Sequence, residues 1–416
     1  MKRVRIDWIV VATALLFAFG CGGGGCGGCG MEPIPGGFPS AKRTPNAGQL
    51  RVSQTGLAAV SSDPAALLGS IGNAMNGVLQ FNAPASCGGS TPICCPGGNP
   101  VNPCGPIDID LKLYPGDQPR LELKPSAGNS RLDVTVRARV KTEMDIPVKI
   151  PIAGDCGIKI DTTAGSTKDI RIDAPISFVQ DPTTGTTRVE VGTVSLSQLA
   201  TEDVALNGGI GCAIADFGLG AFLGILTDQI TGAIQSAIQD QTCKACPSGD
   251  VAECGPFASA CTNNVCMEGD VCLQELGVSG RLRGSVLLGS LSPGTTGALD
   301  LYEVAGGYAT TNQNGIALGL LGGMQPGGAP RDRCGPPGTE PAMVTIPQSA
   351  YFQGNQNPDT NQPFDVAIGL HKSQLDQLAF GGYEGGLFCL TIGHSTVSQL
   401  STDTFSLLSR SLGKLV

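Results

Sequence analysis

RLDVTVRARVKTEMDIPVKIPIA, residues 131–153, carries the most informative pattern in this chain. Leu132, Val134, Val136, Ala138, Val140, Met144, Ile146, Val148, Ile150 and Ile152 all fall on even positions, and nearly every odd position is polar, charged or proline. Side chains on a strand alternate between faces, so the pattern predicts one strand with an apolar face and a wet face. At about 3.3 Å per residue it would run roughly 70 Å, several times the usual five or six residues of a strand. Such a strand suits an α+β architecture in which an elongated, highly curved antiparallel sheet, a super-roll or barrel, is wrapped on long helices.

Strands flank this one on both sides. Ile107 to Leu113, Ile158 to Ile160, Ile170 to Phe178 and Val189 to Leu196 read as strands between Gly/Asp/Pro clusters, which suggests an antiparallel meander. Upstream, Gln49 to Ser53 reads as a short strand, and Gln54 to Leu79 as a helix interrupted by Pro64, Gly69 and Gly72. Gly218 to Gln241 is the clearest helix: Leu219, Phe222, Leu223, Leu226, Ile230 and Ile234 recur at three- and four-residue steps. Strand-like material resumes beyond Leu276, and Ser373 to Phe380 makes a short helix.

The N-terminus points out of the cytoplasm. Lys2, Arg3 and Arg5 precede the apolar run Trp8 to Phe19, which is short for a membrane span and reads as a signal peptide over residues 1–20. Cys21 follows Gly20 directly, a pattern that resembles a bacterial lipoprotein signal in which Cys21 becomes the acylated residue. Cleavage elsewhere, or retention as an anchor, is the alternative. The Gly/Pro-rich residues 21–46 then read as a flexible tether. Gly22 carries no inner-membrane retention signal, which places the expected site at the outer membrane or cell surface, or otherwise in the periplasm or medium.

Seventeen cysteines in an exported chain predict disulfides. The candidates are Cys212, Cys334, Cys389 and the crowded linker 243–275 with Cys243, Cys246, Cys254, Cys261, Cys266 and Cys272; Cys87, Cys94, Cys95 and Cys104 lie together in one loop. Cys243 and Cys246 form a C-x-x-C, but no second well-spaced pair with histidines accompanies it, so neither zinc nor any cofactor is expected.

Loss of residues 1–20, with three basic side chains and one acidic one, moves the formal charge from -9 to -11, which argues against nucleic acid as a partner. Catalytic motifs are weak. GHSTV at 393–397 begins like a nucleophile elbow around Ser395 but lacks the final glycine, and beyond the signal the histidines are His371 and His394. Gly218 and Gly220 start a dinucleotide-like run in which Leu223 takes the third glycine position. The chain is therefore read as a non-enzyme.

GQLRVSQTGLAAV at 48–60 and LGAFLGILTDQITGAIQSAIQDQTC at 219–243 resemble the opening strand and helix, and the closing helix and cysteine, of the bactericidal/permeability-increasing and lipopolysaccharide-binding protein family. That family belongs to the tubular lipid-binding superfamily. FDVAIGLHKSQLDQLAFGGYEGGLFCL at 364–390 is similar to its second-domain unit, a strand followed by a short helix with a leucine on the inner side. The resemblance implies a first lipid-binding domain over 47–242, the cysteine-rich linker 243–275, and a second, partial domain of similar type over 276–416. It also implies a disulfide from Cys243 to Cys212 or Cys156.

Periodicity alone reads the inner faces of the long strand and the long helix as packed core. The resemblance instead implies a tunnel for acyl chains, lined by Val134, Val136, Val140, Ile146, Val148, Ile150, Leu219, Phe222, Leu223, Leu226, Ile230 and Ile234. The expected partner is a phospholipid or other acyl-chain lipid, with a membrane engaged through the anchor. The alternative is a structural or adhesive surface lipoprotein with a packed core, whose cysteine modules face an envelope protein. Arg137, Arg139 and Lys141, on the polar face of the long strand, read as a solvated surface.

Overall fold

The computed structural model describes residues 31–62, 78–83, 107–113, 119–142, 145–150, 154–163, 169–197, 201–208, 219–287, 295–327 and 334–389. In chain order the strands and helices begin with β1 (Met31–Glu32), β2 (Thr44–Ser53), α1 (Gln54–Ser61), β3 (Val78–Ala83), β4 (Ile107–Leu113), β5 (Arg120–Ser126) and β6 (Arg131–Ala138). There follow β7 (Val140–Thr142), β8 (Ile146–Ile150), β9 (Gly154–Ile160), β10 (Ile170–Gln180), β11 (Thr187–Val191), β12 (Ser195–Ser197), β13 (Val204–Gly208) and α2 (Leu219–Thr242). The remainder comprises β14 (Ala260–Thr262), β15 (Val265–Glu268), β16 (Val271–Cys272), β17 (Gly277–Arg283), α3 (Gly284–Leu287), β18 (Ala298–Asn312), β19 (Gly315–Pro326), β20 (Val366–Leu370) and α4 (Lys372–Glu384).

This is an α+β fold dominated by antiparallel sheet, with one curled, half-barrel sheet and several smaller ones. The largest sheet runs β1-β17-β18-β19-β2-β20, and a second runs β11-β10-β6-β5 with β12 also on β10. Three-stranded sheets β13-β9-β8, β3-β4-β7 and β14-β15-β16 complete the set.

The stretch 131–153 keeps its alternation but not its continuity. It is cut at Arg139 and again before Ile146, and its pieces join three different sheets: β6 pairs with β5 and β10, β7 with β4, and β8 with β9. Leu132, Val134, Ala138, Val140 and Ile146 are nonetheless all buried. The pleat that sets which face is apolar survives a change of pairing partner, so the alternation read from sequence spans breaks that it cannot locate. At the first break the Thr162 hydroxyl bridges the chain, accepting from Val140 N at 3.0 Å and donating to Val140 O at 3.2 Å.

Residues 31–46 do not behave as a tether. Ile34 and Phe38 are buried with Tyr302, Val304 and Leu321, the Phe38 and Tyr302 rings stacking at 5.4 Å. Two large side chains among glycines and prolines give no periodicity to read, yet they suffice to pin the segment. The Arg43 guanidinium lies 4.3 Å from the Tyr302 ring centre and 5.3 Å from that of Phe257, joining this segment to the cysteine-rich stretch. Gly37 meets Gly255 so closely that an added Cβ would stand 2.6 Å from Gly255 Cα.

The stretches expected as two domains share a sheet and a core. β2 pairs with β19 on one side and β20 on the other. Leu50 and Val52 of β2, Val134 of β6, and Leu276, Ile316 and Leu318 from beyond the cysteine-rich stretch belong to one apolar cluster.

Local signals explain the helices. Ser53 caps α1, its hydroxyl accepting from Gly56 N at 3.2 Å. α1 ends at Ser61, and Leu79, expected at the end of that helix, belongs to β3. Along α2, Ile230 is buried and Ile234 and Ile238 are half-buried, while Asp228, Gly232, Gln235 and Gln239 are exposed, the division that a helical period dictates. α4 is inverted relative to the expectation of an inward leucine. Gln374 and Gln377 face the sheet, and Leu375 and Leu378 are exposed. Period marks which residues share a face; what covers that face decides whether it is buried.

Candidate functional site

The largest continuous apolar region lies where the even-numbered face of β6, β7 and β8 meets β9, β10 and α2. Val134, Val140 and Ile146 are buried there with Ile158, Ile160, Ile170 and Ile172, and α2 adds Ile230. Val136 and Ile234 pack against the same cluster from half-buried positions. Six candidate lining residues are thereby brought together: Val134, Val136, Val140, Ile146, Ile230 and Ile234. The side chains of Val148, Ile150, Leu219, Phe222, Leu223 and Leu226 lie outside the described residues, although their backbones belong to β8 and α2.

The opposite face of this sheet is a lattice of ion pairs. Arg171 reaches Asp173 at 2.7 Å, and Thr135 donates to the same carboxylate at 2.6 Å. The Arg171 hydrogen bond, helped by Thr135, holds Asp173 below the usual carboxylate range. Arg131 pairs with Asp133 at 2.9 Å, Arg139 with Asp169 at 3.4 Å, and Arg120 with Asp169 as well. Arg120, Arg131, Arg139 and Arg171 are thus engaged by carboxylates on this face.

Cysteine chemistry here is structural. Cys243 pairs with Cys272, Cys246 with Cys261, Cys254 with Cys266 and Cys334 with Cys389. The expected bond from Cys243 to Cys212 or Cys156 is therefore corrected. The bridge between Cys243 and Gln274 brings the returning chain alongside, placing the Cys243 and Cys272 Cα atoms 5.7 Å apart. Cys156 is itself disulfide-bonded, and Cys212 lies outside the described residues. The sulfurs of Cys246, Cys254 and Cys266 gather within 4.8 Å, but each is half of a disulfide and none offers a thiolate to a metal. The C-x-x-C of Cys243 and Cys246 is split between two bonds, so it is not a redox pair.

Cys21, His394 and Ser395 lie outside the described residues. His371 serves as the cap of α4, its Nδ1 accepting from Ser373 N at 3.2 Å. Among the described residues no helix is long and apolar enough to cross a membrane.

Among the buried polar groups that sequence reading missed, three matter here. Arg51 is 0% exposed, donating from Nε to Gly354 O at 3.1 Å and from Nη2 to Asn312 Oδ1 at 2.8 Å, and burial lowers its pKa. Alternation places Arg51 opposite Leu50 and Val52; only the tertiary fold brings residues 353–354 over it. Glu303 and Gln374 are the other two. Burial raises the Glu303 carboxyl to about 8.

The curled antiparallel sheet and its single large apolar cluster define the class as an α+β protein with a sheet-and-helix core. No family model matches the chain, and no curated protein sequence does. Among solved structures, a crystal structure of lipopolysaccharide binding protein aligns with 79% of this chain at 13% identity and a TM-score of 0.29. The aligned region covers 57% of that protein's length. A superposition this loose fixes neither shape nor cargo.

Proposed function

We propose that this protein is a non-enzymatic lipid binder or carrier of the bacterial envelope, exported by residues 1–20, anchored through an acylated Cys21, and holding a diacyl lipid along the apolar cluster between β6–β8 and α2. The observation that carries the reading is that Val134, Val140 and Ile146 of β6, β7 and β8 and Ile230 of α2 meet in one apolar cluster, the kind of environment an acyl chain requires. The resemblance at 48–60 and 219–243 supports the same cargo class.

Magnitudes favour two chains over one. Burying a CH₂ contributes about 0.8 kcal/mol, so a sixteen-carbon chain gives roughly 13 kcal/mol gross. Association costs of about 4–15 kcal/mol offset much of that. A diacyl lipid would therefore be held far better than a free fatty acid. The binding mechanism is passive: bilayer contacts are exchanged for protein contacts without a protonation step in the cluster. The ion-paired outer face and the acidic chain favour a headgroup that is not strongly anionic.

Ile230→Trp tests the reading. A fluorescent diacyl lipid should lose most of its binding to this variant while the melting temperature stays within a few degrees of the parent. If the variant instead binds as the parent does and loses roughly 1–3 kcal/mol of stability through overpacking, the cluster is a filled core and the chain is a structural or adhesive surface protein.

A further inference from the structure

Glu303 and Gln374 hold buried oxygens that the lipid site does not use. Glu303 of β18 stands directly across from Gly322 of β19, and Thr44 of β2 stands on the other side of Gly322. Directly opposed residues project to one face of a sheet, and α4 packs on this one. An added Cβ at Gly322 would stand 2.5 Å from Glu303 Oε1 and 2.9 Å from Gln374 Oε1, so two acceptor oxygens crowd the same point.

Gln374 is 0% exposed, and both its amide atoms and both carboxylate oxygens of Glu303 are shut off from solvent without a hydrogen-bond partner among the described residues. The groups around them are uncharged: Thr44 and Gly322 from the neighbouring strands, Val278 opposite Glu303 on β17, and Gln374 with Gln377, one turn apart, on α4. Burial raises the Glu303 pKa.

A carboxylate at this point would have no counter-charge beside it, and would face the Gln374 oxygen lone pair to lone pair. One proton removes both penalties. We propose that Glu303 is a protonated latch: its carboxylic acid donates to Gln374 Oε1 and holds α4 on the sheet, and loss of the proton loosens the helix.

The ends of α4 limit how far it can open. His371 N donates to Ala47 O at 2.8 Å before the helix, and the Cys334–Cys389 bond staples the chain after it. Release is therefore a local opening of residues 372–384 between fixed ends.

The folded-state pKa stands above the ordinary glutamate value, so the stabilisation is present at low pH and is lost as pH rises through about 8. Side-chain carboxyl ¹³C resonances of the whole chain, followed from pH 5 to 10, should show one glutamate with a midpoint near 8 that is absent from Glu303→Gln. Hydrogen exchange of residues 372–384, corrected for intrinsic rates, should lose protection by up to about tenfold per pH unit between about 6 and 8 in the parent and stay level in Glu303→Gln. A Glu303 midpoint below about 5.5 would overturn the proposal, since the carboxylate would then be ionised and taking Nε2 of an amide turned the other way. Level exchange in the parent would overturn the latch as well. If Glu303→Gln does not fold, sequential assignment of the parent's resonance decides the same question.

Discussion

Phe38→Ala should be among the most damaging single changes in this chain, although Phe38 sits in a stretch that sequence reads as a tether. The ring is 1% exposed and stacks on Tyr302 at 5.4 Å with 24° between the planes. Ile34, Val304 and Leu321 complete its surroundings, and it lies so close over Gly323 that an added Cβ there would stand 2.6 Å from Phe38 Cε1. Truncating a buried phenylalanine costs about 3–5 kcal/mol, of which the aromatic pair supplies roughly 0.5–1.5 kcal/mol. The floor of the site is sheet backbone, which cannot collapse into the void, so the upper half of that range is expected. At about 2–4 °C per kcal/mol the melting temperature should fall by roughly 8–20 °C. Circular dichroism melts and urea midpoints measure this directly. A drop below about 2 °C with an unchanged urea midpoint would mean that residues 31–43 are not held on the sheet, and the packing described for them would be wrong.

Replacing Cys334 and Cys389 together by serine opens a loop of 55 residues, and the chain-entropy relation puts the loss near 4 kcal/mol at most; a double variant as stable as the parent would show that this staple contributes nothing. Asp173 is held below the usual carboxylate range by Arg171, so its contribution is present at neutral pH and is lost as pH falls through that lowered value. Asp173→Asn should therefore be less stable than the parent at pH 7 and converge with it in acid, and parallel curves from pH 7 to 2 would contradict that assignment.

The inward face of the central strands was legible because alternation is a property of the pleat, independent of which strand lies alongside. The breaks at Arg139 and before Ile146 were not, because they reflect a change of partner, and pairing between distant segments leaves no local trace. α2 was legible to within a residue, since its apolar positions repeat over several turns. Membership of β2 in the sheet built from residues 277–370 was hidden for the same reason as the strand breaks: Leu50 and Val52 announce a strand and say nothing of its neighbours. The inversion of α4 was hidden because leucines and glutamines both repeat with a helical period, and the inward leucine was what the resemblance implied. Of the candidate site, the six residues whose side chains are described meet in the cluster. Arg51, Glu303 and Gln374 give no signal, because a buried charge or amide looks like any surface residue until the chain that covers it is known.

Native mass spectrometry with lipid extraction, on residues 31–416 secreted into an oxidising compartment, decides whether the cluster holds lipid. One diacyl lipid per chain, lost in Ile230→Trp, is the expected result. A clean apo mass that stays unchanged after incubation with liposomes would contradict it.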